Sequence, residues 1–186
     1  MRFRLISVIL CSAVVGVAAI YIPQVAFAQT APAAKPPLSP PAKAEAALGD
    51  ANVTIDYSQP SMRNRTIFGG LVPYGEVWRT GANAATTLTT TGNLQVGDLT
   101  VPAGKYTLYS LPTADGWKLI VNKQTGQWGT VYDKAQDLGR TTMTVGSNSV
   151  PVETMVIDFE KSAGDKTELH VKWAGVDASV PVTASK

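Results

Sequence analysis

Glu168-Leu169-His170-Val171-Lys172-Trp173 alternates polar and apolar side chains without a break. Successive side chains of an extended chain point to opposite faces, so Leu169, Val171 and Trp173 share one face. Glu168, His170 and Lys172 share the other, which is the pattern of a half-buried strand. The same period of two recurs to either side. Val53, Ile55 and Tyr57 alternate with Thr54 and Asp56, residues 105–111 alternate two half-apolar faces, and Trp117, Leu119 and Val121 share one face. Residues 140–145 form a short run, and Met155, Ile157 and Phe159 point one way. Residues 85–91 are rich in β-branched threonine, which suits a strand. Residues 176–182 close the series, with Pro181 marking an edge or an end.

Turn signals lie between these runs: Thr91-Gly92-Asn93, Val96-Gly97-Asp98, Pro102-Ala103-Gly104, Ala114-Asp115-Gly116, Ala163-Gly164-Asp165 and Ala174-Gly175. Short strands at this spacing predict an all-β fold, an antiparallel β-sandwich that is jelly-roll-like or related. Helical periodicity is weak throughout, and residues 131–138 are expected to supply at most one or two short helical turns.

The N-terminus is of a different kind. Arg2 and Arg4 precede an apolar run over residues 5–22, and Ala26-Phe27-Ala28 places small residues at the −3 and −1 positions of a cleavage site. Those three features together predict a secretory signal peptide over residues 1–28. Cys11 lies inside the apolar run and not in a small-residue lipobox, so a lipoprotein is not expected. Residues 29–48 are rich in alanine and proline and read as a disordered linker. One β domain is expected over residues 49–186. The expected product is exported, periplasmic or secreted, with no membrane insertion after cleavage.

Cleavage changes the composition that matters. The chain has 16 basic and 14 acidic residues, and losing Arg2 and Arg4 leaves 14 of each. A neutral chain gives no electrostatic reason to expect nucleic acid as a partner. The only cysteine leaves with the signal peptide, so disulfides, thiolate nucleophiles and cysteine metal ligands are excluded. His170 is the only histidine, which rules out multi-histidine metal sites, and no metal is expected. Phosphate-cradling glycine loops and dinucleotide fingerprints are missing as well, so no cofactor is expected.

Residues 57–87 stand apart from the strand pattern. YSQPSMRNRTIFGGLVPYGEVWRTGANAATT holds Arg63, Arg65, Arg79, Phe68, Tyr74, Glu76, Trp78 and Asn83, with glycines at 69, 70, 75 and 81. An irregular segment this long needs something to order it. Arg79 beside Trp78 and Glu76 suits an ion pair, a stacking platform or both. Gly81-Ala82-Asn83 suits a close backbone approach to a ligand.

Several strings here resemble the bacterial domain of unknown function 2911 (DUF2911) family. They are Tyr57-Ser58-Gln59-Pro60-Ser61, Arg65-Thr66-Ile67-Phe68-Gly69, Leu71-Val72-Pro73-Tyr74-Gly75 and Val77-Trp78-Arg79-Thr80-Gly81-Ala82-Asn83. The resemblance continues through residues 101–108 and 117–122, Trp128-Gly129 and Tyr132-Asp133. It implies an exported bacterial protein and transfers no catalytic residue.

Three functional readings stay open. The first is a ligand-binding module, for a carbohydrate or envelope glycan, with Arg65, Tyr74, Glu76, Trp78, Arg79, Asn83 and Trp128 as candidate contacts. Trp78 and Trp128 sit in glycine-flanked loops where sugars could stack on exposed rings, whereas Trp117 and Trp173 belong to the core. The second is a hydrolase using Glu76 or Asp56 as acid or base. The third is a structural envelope protein in which the segment only orders itself. His170, on the polar face of its strand, is expected to be solvated. Asp133 and Asp137 read as a solvated acidic face and lack a calcium-loop pattern.

Overall fold

The computed structural model describes residues 37–185. The expected signal peptide at 1–28 and the first part of the expected linker, 29–36, lie outside the described residues. Nine strands follow in order: β1 (Pro41–Leu48), β2 (Ala51–Ser58), β3 (Thr86–Thr90), β4 (Asn93–Val96), β5 (Leu99–Val101), β6 (Gly104–Thr113), β7 (Gly116–Asn122), β8 (Asp137–Ala163) and β9 (Lys166–Ser185). A single 3₁₀ turn, Lys134–Gln136, is the only helical piece among the described residues and falls where a short turn was expected.

The strands form one ladder in the order β1-β2-β3-β6-β7-β8-β9-β4-β5, antiparallel at every step. The fold is all-β, as the alternation predicts. Its layers belong to one continuous open sheet, where a jelly roll has two separate ones. The bend lies in β8. Its first residues pair with β7 as far as Met143, and from Thr144 onward it pairs with β9. All nine strands contribute buried side chains to a single core, from Leu48 on β1 through Leu119 on β7 to Val101 on β5. A flat sheet could not bring its two edges into one core, so the ladder curls over its own apolar face. Hydrogen bonds close the curl: the Tyr57 hydroxyl on β2 donates to the Ile157 carbonyl (3.2 Å) and accepts from the Ile157 amide (3.0 Å) on β8.

β1 corrects the expected linker boundary. Residues 41–48 form an edge strand paired residue for residue with β2, and Ala44 and Leu48 are buried. The folded unit therefore starts at Pro41 and not near Gly49. Alanine and lysine have little strand preference of their own. Pairing with β2 overrides that, and Pro41 sits at the first position of an edge strand, where a missing N–H is harmless. Two further differences are local. The runs at 140–145 and 155–159 belong to one long strand, β8, and the short β4 and β5 occupy stretches that the sequence marks mainly by their flanking turns.

Leu48 is fully buried at the end of β1. Leu48→Ala is expected to lower unfolding free energy by about 3 kcal/mol, the usual cost of truncating a core leucine. Urea denaturation checks this, and a change below about 0.5 kcal/mol would return residues 41–48 to the linker.

Candidate ligand-binding cleft

Residues 59–85 connect β2 to β3 without regular strand structure, yet they are stitched down at three places. The Met62 amide donates to the Glu153 carbonyl (2.8 Å) and the Met155 amide to the Pro60 carbonyl (2.9 Å). These groups on β8 are free for the loop because of a bulge: from Val152 to Val156 the strand advances four positions while β9 advances two, from Ala174 to Lys172. Further along, Trp78 and Ser110 exchange backbone hydrogen bonds of 2.8 Å with β6. Finally Ala84 bridges Trp128, and the Gly129 amide donates to the Asn83 carbonyl (3.1 Å).

Side chains complete the attachment. Trp78 stacks on Trp173 (centroids 5.8 Å apart, planes 19° apart) and stands edge-on to Trp117 at 6.4 Å. Phe68 meets Trp78, Trp117 and Trp173 edge-to-face. Trp117 and Trp173 are core residues, as expected, and they anchor the loop. Trp78 is half-buried in this cluster and is no free platform, which corrects its reading as an exposed ring.

The loop and residues 129–132 enclose a cleft of about 520 Å³. Arg65, Glu76, Trp78, Arg79 and Asn83 all line it, so five of the candidate contacts converge. Tyr74 and Trp128 are exposed and lie outside its lining. The cleft also takes in Arg63, Tyr109 and Tyr132, which the sequence does not single out as contacts. Arg63 sat in the singled-out segment; the tyrosines come from other parts of the chain, and nothing local ties them to it.

Arg79 does not pair with Glu76. Its Nε donates to the Gly81 carbonyl (3.3 Å), and its stem is pressed against Gly129, where a Cβ would lie 2.4 Å from Arg79 Cδ. Gly129 is thus glycine because Arg79 occupies the space a side chain would need. Gly81 also permits a close approach, but to the protein itself: a Cβ there would meet Thr86 Oγ1 at 2.9 Å and the Ser58 carbonyl at 3.2 Å. Between Arg79 and Gly81, Thr80 has φ of +51°, a strained conformation for a β-branched residue. It is fully buried, with its hydroxyl 2.8 Å from that of Ser110 and its carbonyl accepting from Thr86 Oγ1 (2.9 Å). Those bonds hold the turn that carries Arg79.

A family model described as protein of unknown function (DUF2911) matches residues 39–182. The chain belongs to the DUF2911 family. Comparison with curated proteins and with solved structures gives no match. The DUF2911 match begins two residues before β1, in keeping with β1 as part of the domain.

Other candidates of this DUF2911 domain stand elsewhere. Asp56 lies on the outward side of β2, 3.8 Å from Lys43, and does not line the cleft. His170 is buried and not solvated: Nδ1 is 2.8 Å from Asp177, and Nε2 is 3.3 Å from Glu168 and 3.7 Å from Glu160. It does lie on the polar face of β9, but carboxylate side chains from both long strands close over it. Lys172 joins the same row through Asp158 and Glu160. Asp133 and Asp137 form no shared solvated face. Asp133 caps the 3₁₀ turn, and Asp137 accepts from Asn122 (2.9 Å), Tyr132 (2.7 Å) and Arg140 (2.9 Å).

Tyr132 links that network to the cleft. Burial, then its hydrogen bond to Asp137, pushes its hydroxyl from 10.0 up to about 12. The unfolded chain loses this proton near pH 10 while the folded chain keeps it, so folding stability falls as pH rises through that window. Tyr132→Phe is expected to flatten the pH dependence of the urea midpoint in this range. Gly129→Ala should cost about 1–3 kcal/mol through overpacking. Adding Arg79→Ala should recover part of that loss, and thermal denaturation of the single and double variants checks the coupling.

Proposed function

We propose that this chain is an exported binding protein whose cleft takes a carbohydrate, an envelope glycan being the class in view. The observation that carries the reading is the make-up of one cavity. Its volume, about 520 Å³, falls in the range of small-molecule sites, roughly 300–1,000 Å³. Trp78 and Tyr132, both half-buried, line it together with Arg65, Arg79 and Asn83, and the lining reaches the buried Tyr109 and Trp173. Sugars present apolar ring faces and polar edges, and a surface of aromatic carbon bordered by guanidinium and amide groups complements both. Export rests on the signal-peptide pattern of residues 1–28.

Hydrolysis receives less support from the same cavity. Glycoside hydrolysis by the usual route needs two carboxyl groups flanking one bond. Glu76 is the only carboxylate among the described residues lining the cleft, and Asp56 is held beside Lys43 elsewhere. A purely structural role for the segment leaves the concave shape without a use, since backbone bridges and the aromatic cluster already order it.

Tryptophan fluorescence of the purified protein, titrated with a panel of cell-wall oligosaccharides, tests the proposal. A saturable change is expected because Trp78 and Trp173 line the cleft. It should weaken in Asn83→Gly, which keeps the backbone conformation available and removes the amide. A flat response across the panel from a folded protein would overturn carbohydrate binding, and sugar turnover abolished by Glu76→Gln would replace it with the hydrolase. Mass spectrometry of the protein recovered from an exporting bacterium should give about 17 kDa if residues 1–28 are removed.

A further inference from the structure

We infer that the ligand of this cleft carries an oxyanion, a carboxylate or a phosphate, and that Arg63, Arg65 and Arg79 hold it. The inference rests on the cleft being a binding site and adds the chemistry of what it binds.

The distribution of basic residues points there first. After residue 28 the sequence contains four arginines and ten lysines. Three of the four arginines line this one cleft, and no described lysine does. The two residue types carry the same charge, so charge alone does not explain the separation. Arginine differs in offering a planar fork of N–H donors that matches two oxygens of a carboxylate or phosphate. The lining holds three arginines against Glu76, a formal excess of two positive charges, in a chain that is neutral from residue 29 onward.

The arginines also remain unneutralised. Among the described residues none of the three forms an ion pair; the ion pairs there involve Arg140, His170 and lysines. What the three contact is backbone carbonyl oxygen. Arg65 donates to Met62 (2.9 Å) and Ser61 (2.8 Å), Arg63 to Leu38 (2.6 Å) and Arg79 to Gly81 (3.3 Å). A guanidinium has about five N–H donors, so each keeps most or several of them for another acceptor. The carbonyls orient the forks without cancelling their charge. Three like charges around one cavity repel, and their hydrogen bonds to backbone carbonyls do not relieve that repulsion. Their placement is explained by an anion that completes the set.

Isothermal titration calorimetry of the purified protein separates the possibilities, using a uronic acid oligosaccharide, a hexose phosphate, the matching neutral sugars and inorganic phosphate. The acidic sugars are expected to bind about ten-fold or more tightly than the neutral ones, as charge-assisted hydrogen bonds imply. That preference should shrink with added salt, because Arg63 and Arg65 are exposed. Arg63→Ala and Arg65→Ala should each remove much of it, and Arg65→Lys should restore only part, having the charge without the fork. Comparison of the uronate and phosphate arms identifies which oxyanion the cleft prefers. Inorganic phosphate binding that depends on the arginines, with no sugar binding, would support the oxyanion and overturn the carbohydrate. Equal affinity for neutral and acidic sugars, unmoved by the arginine variants, would overturn the oxyanion and leave the carbohydrate reading standing. No binding of any probe by the folded protein would overturn both.

Discussion

Trp78 lies flat against Trp173, with Phe68 and Trp117 edge-on around the pair. Two of these rings belong to the long irregular loop and two to strands of the curled sheet. Aromatic pairs in such geometries contribute about 0.5–1.5 kcal/mol each beyond their burial. The cluster therefore joins the buried Ile67 and Val72 in fastening the loop to the sheet. The cleft lies beside this anchor, with Arg63, Arg65 and Arg79 in its lining and the turns that carry them bonded to Glu153 on β8 and Ser110 on β6. Without the cluster, residues 59–85 would keep their backbone bridges, the Thr80–Ser110 hydrogen bond and the buried Ile67 and Val72, but would lose the ring stack that seats Trp78.

The bend in β8 is the second constraint, and it is coupled to the first. By changing partner from β7 to β9 the strand turns one open ladder into a curled sheet with a single core. Its bulge between Val152 and Val156 leaves backbone groups of Glu153 and Met155 for Met62 and Pro60. The Glu153 carbonyl also accepts from Trp173 Nε1 at 3.3 Å. One irregularity in a strand thus anchors the start of the loop and the ring on which Trp78 stacks.

The strands were legible wherever alternation met a buried face. β2, β7 and the first part of β9 follow the period of two closely, with Val53, Ile55, Tyr57, Trp117, Leu119, Leu169, Val171 and Trp173 all buried. β1 was hidden because alanine fills its inward positions and proline opens it. The burial of His170 is not legible for a related reason. Alternation tells which side of the sheet a residue faces, and it does not tell whether Glu160, Glu168 and Asp177 will close over that side. In the cleft, Arg65, Glu76, Trp78, Arg79 and Asn83 were found because they crowd into one unusual segment. Tyr109 and Tyr132 could not be found that way, since their proximity is made by the sheet.

Local physics therefore determined the all-β class, most strands, the core tryptophans and the family to which the chain belongs. Side-chain period, turn residues and a distinctive motif are properties of neighbours in sequence. Tertiary structure decided the rest: that the sheet is one curled ladder, that Trp78 is a clasp, that Arg79 leans on Gly129 and not on Glu76, and that three arginines line one cavity with none of them in an ion pair. Each of these depends on contacts between segments far apart along the chain, where hydrogen bonding and packing select among conformations that the local sequence leaves equally open.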